Sequence, residues 1–172
     1  MVSKFFRLSM LGILLLLQPA VHATEIFCDD NPENLKTYLE MHDVLFMQRD
    51  ETRVAEYYAP EVVSHNQDDG GGNVVPVRHE DLQKMWINSK KNSPDRVLIN
   101  DLILCMGDFV VVRVTFMGTR LGPLPGLEPG DEGRPYKASG IDIYRFEDGR
   151  VVERWGNNDG VTLLRQLGLL KE

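Results

Sequence analysis

Cysteine and histidine are both scarce in this chain of 172 residues, which contains two cysteines and four histidines. The histidines do not cluster with cysteines or acidic residues, whereas a structural zinc site needs four such ligands at close spacing. No Ser/His/Asp or Cys/His arrangement typical of nucleophilic catalysis stands out either. The sequence therefore predicts no metal site and gives no sign of a nucleophilic triad.

An excess of positive charge is also missing. The chain has 19 lysines and arginines against 26 acidic residues, so its formal net charge is −7. Nucleic acids and anionic membranes attract cationic surfaces, so this charge argues against either as a partner. Three successive glycines, residues 70–72, are not followed by the Gly-Lys-Ser/Thr of a phosphate-binding loop.

No hydrophobic run is long enough to span a membrane, which takes about 20 apolar residues. A short one, residues 8–17, follows Lys4 and Arg7 and precedes the small-residue site Val21-His22-Ala23. This arrangement is typical of a cleaved secretory signal peptide rather than of a membrane anchor. We expect residues 1–23 to be removed, the protein to be periplasmic or secreted, and residues 24–172 to form one domain without membrane association.

The two cysteines, Cys28 and Cys105, leave two alternatives open. Export places a protein in an oxidising compartment, where an even number of cysteines permits a disulfide. Such a bond would tie the start of the mature chain to a strand. The other alternative is that both cysteines are free thiols, one of them buried and the other not held in place.

The first half of the mature chain is predicted to be mainly helical. Asn31-Pro32-Glu33 offers an N-cap, a proline at the first helical position and an acidic first turn. Apolar residues recur at three- and four-residue spacing through residues 32–49, which predicts one amphipathic helix. A shorter helix is expected over residues 50–58, and a third over residues 79–89.

The second half changes to the alternating pattern of β-strands. Residues 118–135 contain five glycines and four prolines, so we predict an irregular segment there that acts as a rim or lid. Helices segregated from antiparallel strands predict an α+β fold, with the helices on one side of a curved sheet that encloses a hollow for a small ligand. The predicted strands are residues 62–66, 96–105, 109–117, 138–146 and 151–155, and a last helix covers residues 160–169.

One carboxylate in the last hairpin is out of character. Asp142 lies between Ile141 and Ile143, although aspartate is a poor strand former and costly to bury without a partner. The turn itself is well specified, because Asp148-Gly149 between β-rich segments is a strong hairpin signal. The Asp142 carboxylate therefore either points to water or lines a pocket, where apolar walls would raise its pKa and equip it for proton transfer.

Several segments, in this order and spacing, resemble the SnoaL-like polyketide cyclases (ester cyclases) of the nuclear-transport-factor-2-like (NTF2-like) superfamily. Together they span nearly the whole mature chain. The matching segments are RVAEYYAPEVV (53–63) with His65, GTRLG (118–122), GIDIYRF (140–146) with Asp148-Gly149, ERW (153–155) through Asp159, and QLG (166–168).

The resemblance implies an α+β cone, often dimeric, that binds a small apolar or carbonyl-containing molecule. It also implies an intramolecular aldol closure that uses an aspartate as acid and base and needs neither metal nor cofactor. Asp142 stands at the position that resembles this aspartate. A single desolvated carboxylate can take a proton alpha to a carbonyl and return one to the new alkoxide.

Two positions depart from the family's pattern. The segment that ends in Arg120 commonly ends in histidine in these cyclases, and a second histidine can stand two residues before the aspartate, where this chain has Gly140. A permanent cation near Asp142 would lower the pKa of its carboxyl and suit a base or an ion pair. Arg120 is therefore either a group that orients substrate oxygens or a solvated strand end.

Four further residues are candidates for the site. His65 follows the short strand that borders the cavity in this family. It is expected either to hydrogen-bond a substrate oxygen or shuttle a proton, or to be half-buried and held by backbone groups. Trp86, Tyr144 and Trp155 are expected in the pocket wall or the core.

The sequence thus favours an exported protein with a small-molecule pocket, acting as a cofactor-free acid/base enzyme of the cyclase or isomerase type. The alternatives are a non-catalytic ligand-binding module and a structural protein whose cavity is filled by its own side chains. The position of Asp142 discriminates between them, because the catalytic hypothesis needs that carboxylate in a hollow with open volume.

Overall fold

A computed structural model of the chain describes residues 23–28, 31–68, 74–121 and 133–170. The predicted signal peptide, apart from Ala23, lies outside the described residues. The same holds for residues 69–73 of the glycine-rich loop and for residues 122–132 of the predicted lid.

The described residues form seven strands and four α-helices, with a π-helical and a 3-10 segment between the first two helices. In chain order they are β1 (Glu25–Cys28), α1 (Pro32–Met41), the π-helical segment (His42–Met47), the 3-10 segment (Glu51–Arg53), α2 (Val54–Tyr57), β2 (Tyr58–Asp68), β3 (Val74–Arg78), α3 (His79–Asn92), β4 (Val97–Met106), β5 (Phe109–Arg120), β6 (Arg134–Glu147), β7 (Arg150–Asn158) and α4 (Gly160–Gln166).

The predicted start of the first helix is confirmed. The Asn31 side chain accepts a hydrogen bond of 3.2 Å from the backbone N–H of Asn34, as an N-cap does. The helix does not stay α-helical to residue 49, because it widens into the π-helical segment and then reaches Arg49, whose φ of 61° is left-handed. The predicted second helix is a 3-10 turn followed by one α-helical turn, since Tyr58 already begins β2.

All seven described strands belong to one curved, unclosed sheet in the order β1-β4-β5-β6-β7-β2-β3. Neighbouring strands are antiparallel except for the pairs β1–β4 and β2–β7, which confirms the predicted α+β fold with a mostly antiparallel sheet. The edge strands β1 and β3 are short and were not predicted. The central strand is β6, which carries Asp142.

The strands run further than their sequence pattern indicates. Gly118, Thr119 and Arg120 pair with the first residues of β6, so both ends of the predicted irregular segment are in fact regular strand. The predicted hairpin turn is confirmed, with left-handed φ values of 48° at Asp148 and 71° at Gly149, as a type I′ turn requires.

The helices cover one face of the sheet, and the core lies between the two layers. Inward-facing residues of β5 alternate along the strand and are buried with Met41 and Leu45 from the first helical region. At the edge of the sheet, Cys28 and Cys105 occupy paired positions on β1 and β4 and form a disulfide. Of the two alternatives for the cysteines, the structure therefore has the bonded one.

Candidate active site

Alternate residues of β6 face the helices, and Asp142 is one of them. In the same row, Ala138, Tyr144 and Phe146 are buried, whereas Ile141 on the opposite face is 51% exposed. The Asp142 side chain is only 14% exposed. Of the two orientations that the sequence left open, the structure has the one that removes this carboxylate from bulk water.

Asp142 forms an ion pair with Arg154, which sequence reasoning missed. Tyr144 on β6 is the direct cross-strand partner of Arg154 on β7, so Arg154 lies diagonally across from Asp142 on the inner face. Nη2 of Arg154 is 3.5 Å from Oδ1 of Asp142, and its guanidinium stands 5.9 Å over the Tyr144 ring. The Arg154 side chain is 15% exposed, so the pair is largely shielded from water.

Burial raises the pKa of the Asp142 carboxyl, and the positive charges of Arg154 and Arg96 oppose that rise without cancelling it. The carboxyl therefore takes and releases a proton at a higher pH than an ordinary aspartate does. Burial likewise raises the pKa of the Tyr144 phenol well above its usual value, which keeps that hydroxyl protonated. Asp142 thus has a carboxyl with a raised pKa beside a guanidinium and a phenol that keep their protons.

Asp142 and Arg154 line a cavity of about 120 Å³, called the inner cavity below. Apolar and polar side chains share its wall, and the packing of the helices over this face of the sheet desolvates the carboxylate. A T-shaped contact between Phe46 and Trp86, with ring centroids 4.7 Å apart, packs two of its aromatic walls. The residues that line the inner cavity are Phe46, Met85, Trp86, Ser89, Arg96, Leu98, Val114, Phe116, Asp142, Arg154 and Asn158.

A second cavity of about 370 Å³, the outer cavity, shares five wall residues with the inner one: Met85, Ser89, Arg96, Phe116 and Asn158. Shared walls place the two cavities side by side between α3, α4 and the sheet, and together they are called the hollow below. The outer cavity is also lined by Asn92, Ser93, Arg120, Tyr136, Leu163 and Leu167.

Besides Asp142, sequence reasoning singled out five candidate residues, and three of them lie in or beside this hollow. Trp86 lines the inner cavity and Arg120 lines the outer one. Tyr144 is buried beneath Arg154 in the core. The cation that forms the ion pair with Asp142 is Arg154, and Arg120 occupies the neighbouring compartment.

The other two candidates, His65 and Trp155, lie on the outer face of the sheet. Nε2 of His65 is 2.8 Å from Oε1 of Glu153, and the imidazole stacks on the Trp155 indole with centroids 4.6 Å apart. Arg145 donates a hydrogen bond of 2.8 Å to the same Glu153 carboxylate. The structure therefore does not bring His65 or Trp155 together with Asp142.

A single extra residue in β7 explains why Trp155 faces outward. Arg145 pairs with Glu153, but the next residue of β6, Phe146, pairs with Val151, so Val152 is a bulge. Val151 is buried, and strict alternation from it would turn Glu153 and Trp155 inward as well. The bulge reverses the faces and brings Arg154 inward in their place.

Two classes of site have no support in the part of the chain that the structure describes. No group of three or more His, Cys, Asp or Glu side chains is arranged there to hold a metal ion. None of the described helices combines the length and apolar character that a membrane crossing needs.

The sequence profile of the SnoaL-like polyketide cyclases matches residues 36–167 of this chain. Among curated proteins, none matches it significantly.

Solved structures with the same fold include three from Streptomyces species. IdmH from Streptomyces antibioticus, a candidate polyketide cyclase, is 28% identical with a TM-score of 0.66, over 78% of this chain and 98% of its own. AclR from Streptomyces galilaeus, a candidate hydroxylase, is 26% identical with a TM-score of 0.68, over 83% and 89%. TsrD from Streptomyces laurentii is 25% identical with a TM-score of 0.69, over 83% and 100%.

Proposed function

This chain belongs to the SnoaL-like polyketide cyclase family, and on that premise we propose that it is an acid/base enzyme of the cyclase or isomerase type in which Asp142 transfers the proton. The family binds small-molecule substrates, and the similarity to IdmH, a candidate polyketide cyclase, supports a role of this type. The observation that carries the proposal is the environment of Asp142: a shielded carboxylate with a raised pKa that lines a cavity with open volume.

The proposed reaction needs one carboxylate at two moments. Asp142 in its ionised form takes a proton from the carbon next to a substrate carbonyl, and the electron pair of that C–H bond becomes an enolate. In a cyclase the enolate carbon attacks a second carbonyl of the same molecule, and protonated Asp142 gives its proton to the alkoxide that forms. In an isomerase protonated Asp142 gives the proton to another position of the enolate. Either route leaves Asp142 ionised for the next turnover.

Arg154 and Arg96 support this cycle through their charge. Both lower the pKa of the Asp142 carboxyl against the opposing effect of burial, so they keep an ionised fraction available as base. The same positive charges stabilise an enolate oxygen that develops in the cavity they line. No bound cofactor is part of the proposed cycle, because the carboxylate and two cations supply the acid/base and electrostatic functions.

Proton abstraction can be tested before the natural substrate is known. 2-Tetralone, a bicyclic ketone, exchanges its α-hydrogens for deuterium in D₂O when a base forms its enolate, and NMR follows the loss of those signals. We expect the wild-type protein to accelerate this exchange. Asp142→Asn should lose roughly 100-fold or more of the acceleration, within the range typical of a general base.

The matched control is Asp108→Asn, which removes an exposed carboxylate at the turn between β4 and β5. It should leave the exchange rate unchanged. Wild-type protein that binds 2-tetralone without accelerating exchange would contradict catalysis and identify a ligand-binding module. Mass spectrometry of ligands that co-purify with wild-type and Asp142→Asn protein from the native host would then define the natural ligand.

We also propose export, with cleavage after Ala23. The support is the charged and apolar pattern of residues 1–23 together with the Cys28–Cys105 disulfide, since structural disulfides persist in oxidising compartments. Expression with the full N-terminus should yield a processed protein that begins at Thr24 in the periplasm or medium. Unprocessed protein in the cytoplasm would contradict this proposal.

A homodimer through the outer face of the sheet is the third element of the proposal. Paired positions on five strands place apolar side chains in one row, the outer apolar stripe. Phe27 at its edge is 60% exposed and the neighbouring Met106 is 72% exposed, and contiguous apolar surface of this kind marks interaction sites. The residues of the stripe are Phe27, Leu104, Val111, Ile143 and Trp155.

Light scattering after size-exclusion chromatography tests the dimer. The molar mass of the wild-type protein should be twice that of the mature chain. Leu104→Lys should lower the molar mass to that of a single chain. Ile87→Lys is the matched control, because Ile87 is a half-exposed apolar residue on α3, away from the outer apolar stripe. A monomeric wild type would contradict the dimer and leave the cavity proposal intact.

A further inference from the structure

Two buried donors in the described residues have no hydrogen-bond partner, and both belong to the wall of the inner cavity. They are Nε1 of Trp86 and Nε of Arg154. Trp86 as a whole is 5% exposed. Buried N–H groups are almost always hydrogen-bonded, because losing water without a replacement acceptor is unfavourable. Neither nitrogen has accessible surface in this structure, so an acceptor in the cavity reaches it only after a small movement of the side chain. Two such donors in the wall of one small cavity favour a ligand that supplies an acceptor.

The charges around the inner cavity favour the same kind of ligand atom. Its ionisable wall residues are two arginines, Arg96 and Arg154, and one carboxylate, Asp142. The excess of positive charge attracts an oxygen that carries partial or full negative charge. The rest of the wall consists of six apolar side chains together with Ser89 and Asn158, so it accepts a ligand whose atoms around this oxygen are hydrocarbon.

The shape of the hollow sets the orientation of that ligand. The inner cavity of about 120 Å³ is too small for a bicyclic ligand but accommodates a carbonyl group and part of the ring that bears it. The outer cavity of about 370 Å³ lies at the small end of the roughly 300–1,000 Å³ range of ligand pockets. A ligand with one or two rings fits this arrangement with its oxygen innermost.

We propose that Trp86 and Arg154 form an acceptor-binding subsite for the carbonyl oxygen of a small cyclic ketone, which enters oxygen-first and leaves its ring body in the outer cavity. The statement that this ketone is a substrate, and not only a ligand, rests on the proposed function of Asp142. The donors bind the ketone oxygen moderately and the enolate oxygen more strongly, because a charged acceptor strengthens a hydrogen bond. Trp86 is therefore a binding residue that also favours the step in which Asp142 removes the proton.

The chain offers an internal control for testing this subsite, since it has only two tryptophans. Trp86 lines the inner cavity, whereas Trp155 stacks on His65 on the outer face. In a ¹H–¹⁵N spectrum the two indole N–H groups give two signals, which Trp86→Phe and Trp155→Phe assign. The probes are 2-tetralone and tetralin, the hydrocarbon of the same ring system that lacks the oxygen.

We expect 2-tetralone to move the Trp86 indole proton downfield, as a new hydrogen bond does, while the Trp155 signal stays in place. Tetralin should leave the Trp86 signal without this downfield shift. Trp86→Phe should weaken binding of 2-tetralone by roughly 2- to 10-fold, the range for one neutral hydrogen bond, and should not change binding of tetralin. Trp155→Phe should change neither affinity.

Equal movement of the Trp86 signal with both probes would overturn the subsite, as would an equal loss of affinity for both probes in Trp86→Phe. If Trp86→Phe does not fold, the two titrations of the wild-type protein decide by themselves. A downfield shift of Trp86 without deuterium exchange supports the subsite and removes the catalytic role of Asp142. Exchange that depends on Asp142 without any ketone-specific shift does the reverse, and failure of 2-tetralone to bind overturns both.

Discussion

The two faces of β7 hold arginine–carboxylate pairs that look alike and behave differently. On the inner face Arg154 meets Asp142 at 3.5 Å, with side chains 15% and 14% exposed. On the outer face Arg145 meets Glu153 at 2.8 Å, with side chains 27% and 20% exposed. Burial raises the pKa of Asp142, whereas the hydrogen bond from His65, and after it that from Arg145, lowers the pKa of Glu153.

The exposed fractions of the two carboxylates are similar, but Asp142 lies between the sheet and the helices and is strongly desolvated, whereas Glu153 lies on the uncovered face of the sheet. The two also differ in the number of close donors. Glu153 accepts hydrogen bonds from two side chains, which stabilise its charge, while the one ion-pair contact of Asp142 is long. The outer pair is thus suited to holding the sheet together, and the inner pair is suited to changing its protonation state.

Removing one arginine from each face should separate the two pairs most clearly. Arg154→Met leaves Asp142 without its ion-pair partner in a desolvated place, and we expect a loss of roughly 3–5 kcal/mol in the free energy of unfolding at neutral pH. Arg145→Met on the outer face should cost less than about 1 kcal/mol. Urea denaturation measures both, and equal losses would contradict the distinction between the faces.

The inner face should also be the less tolerant of added volume. A Cβ at Gly140, two residues before Asp142, would lie 2.9 Å from the backbone oxygen of Asn157 and would collide with the side chain of Asn158. We expect Gly140→Ala to lower the free energy of unfolding by about 1–3 kcal/mol. Gly160→Ala is the control, because nothing lies within 4 Å of the added atom. If Gly140→Ala is as stable as wild type in thermal denaturation, the packing argument is wrong.

The two carboxylates should give opposite dependence of stability on pH. The folded-state pKa of Asp142 lies above its ordinary value of 3.8, so the unfolded chain loses this proton first and stability falls as pH rises through that interval. The folded-state pKa of Glu153 lies below its ordinary value of 4.5, so its contribution is present above pH 4.5 and is lost as pH falls through the folded-state pKa.

Urea denaturation at several pH values between about 3 and 7 tests these signs. Relative to wild type, Asp142→Asn should gain stability as the pH rises, and Glu153→Gln should lose it. Each variant serves as the control for the other, since both replace a carboxylate by its neutral amide. The same sign in both variants would show that the two environments do not differ as described.

The smallest effect is expected at His65. Glutamine at this position keeps a donor for Glu153 but loses the stacking on Trp155, so His65→Gln should change the free energy of unfolding by less than about 1 kcal/mol. It should leave deuterium exchange of 2-tetralone unchanged, because His65 lies across the sheet from the inner cavity. A large loss of exchange would return His65 to the catalytic machinery.

Local signals in the sequence were reliable where they depend on a few neighbouring residues. The cap at Asn31 and the turn at Asp148-Gly149 are confirmed, since each is decided within one turn of chain. The unusual aspartate in a β-rich segment also pointed to Asp142 before its surroundings were known. The ends of β5 and β6 were misjudged, because pairing between the two strands outweighs the unfavourable propensity of glycine and proline there.

The partners of Asp142 could not be predicted in the same way. Regular alternation that starts from the buried Val151 assigns Glu153 and Trp155 to the inner face. The bulge at Val152 adds one residue, so the residues after it face the opposite way. Arg154 was missed for the same reason. A bulge depends on how two strands align over their length, and no short segment of sequence encodes that alignment.

The sequence by itself determined the α+β class, the family and the one carboxylate that is out of place in its strand. Only the tertiary structure decided that Arg154 and Trp86 surround that carboxylate while His65 and Trp155 do not. The physical reason is that residue types and their periodicity are local, whereas the face on which a side chain lies depends on strand pairing, and desolvation depends on everything packed above that face.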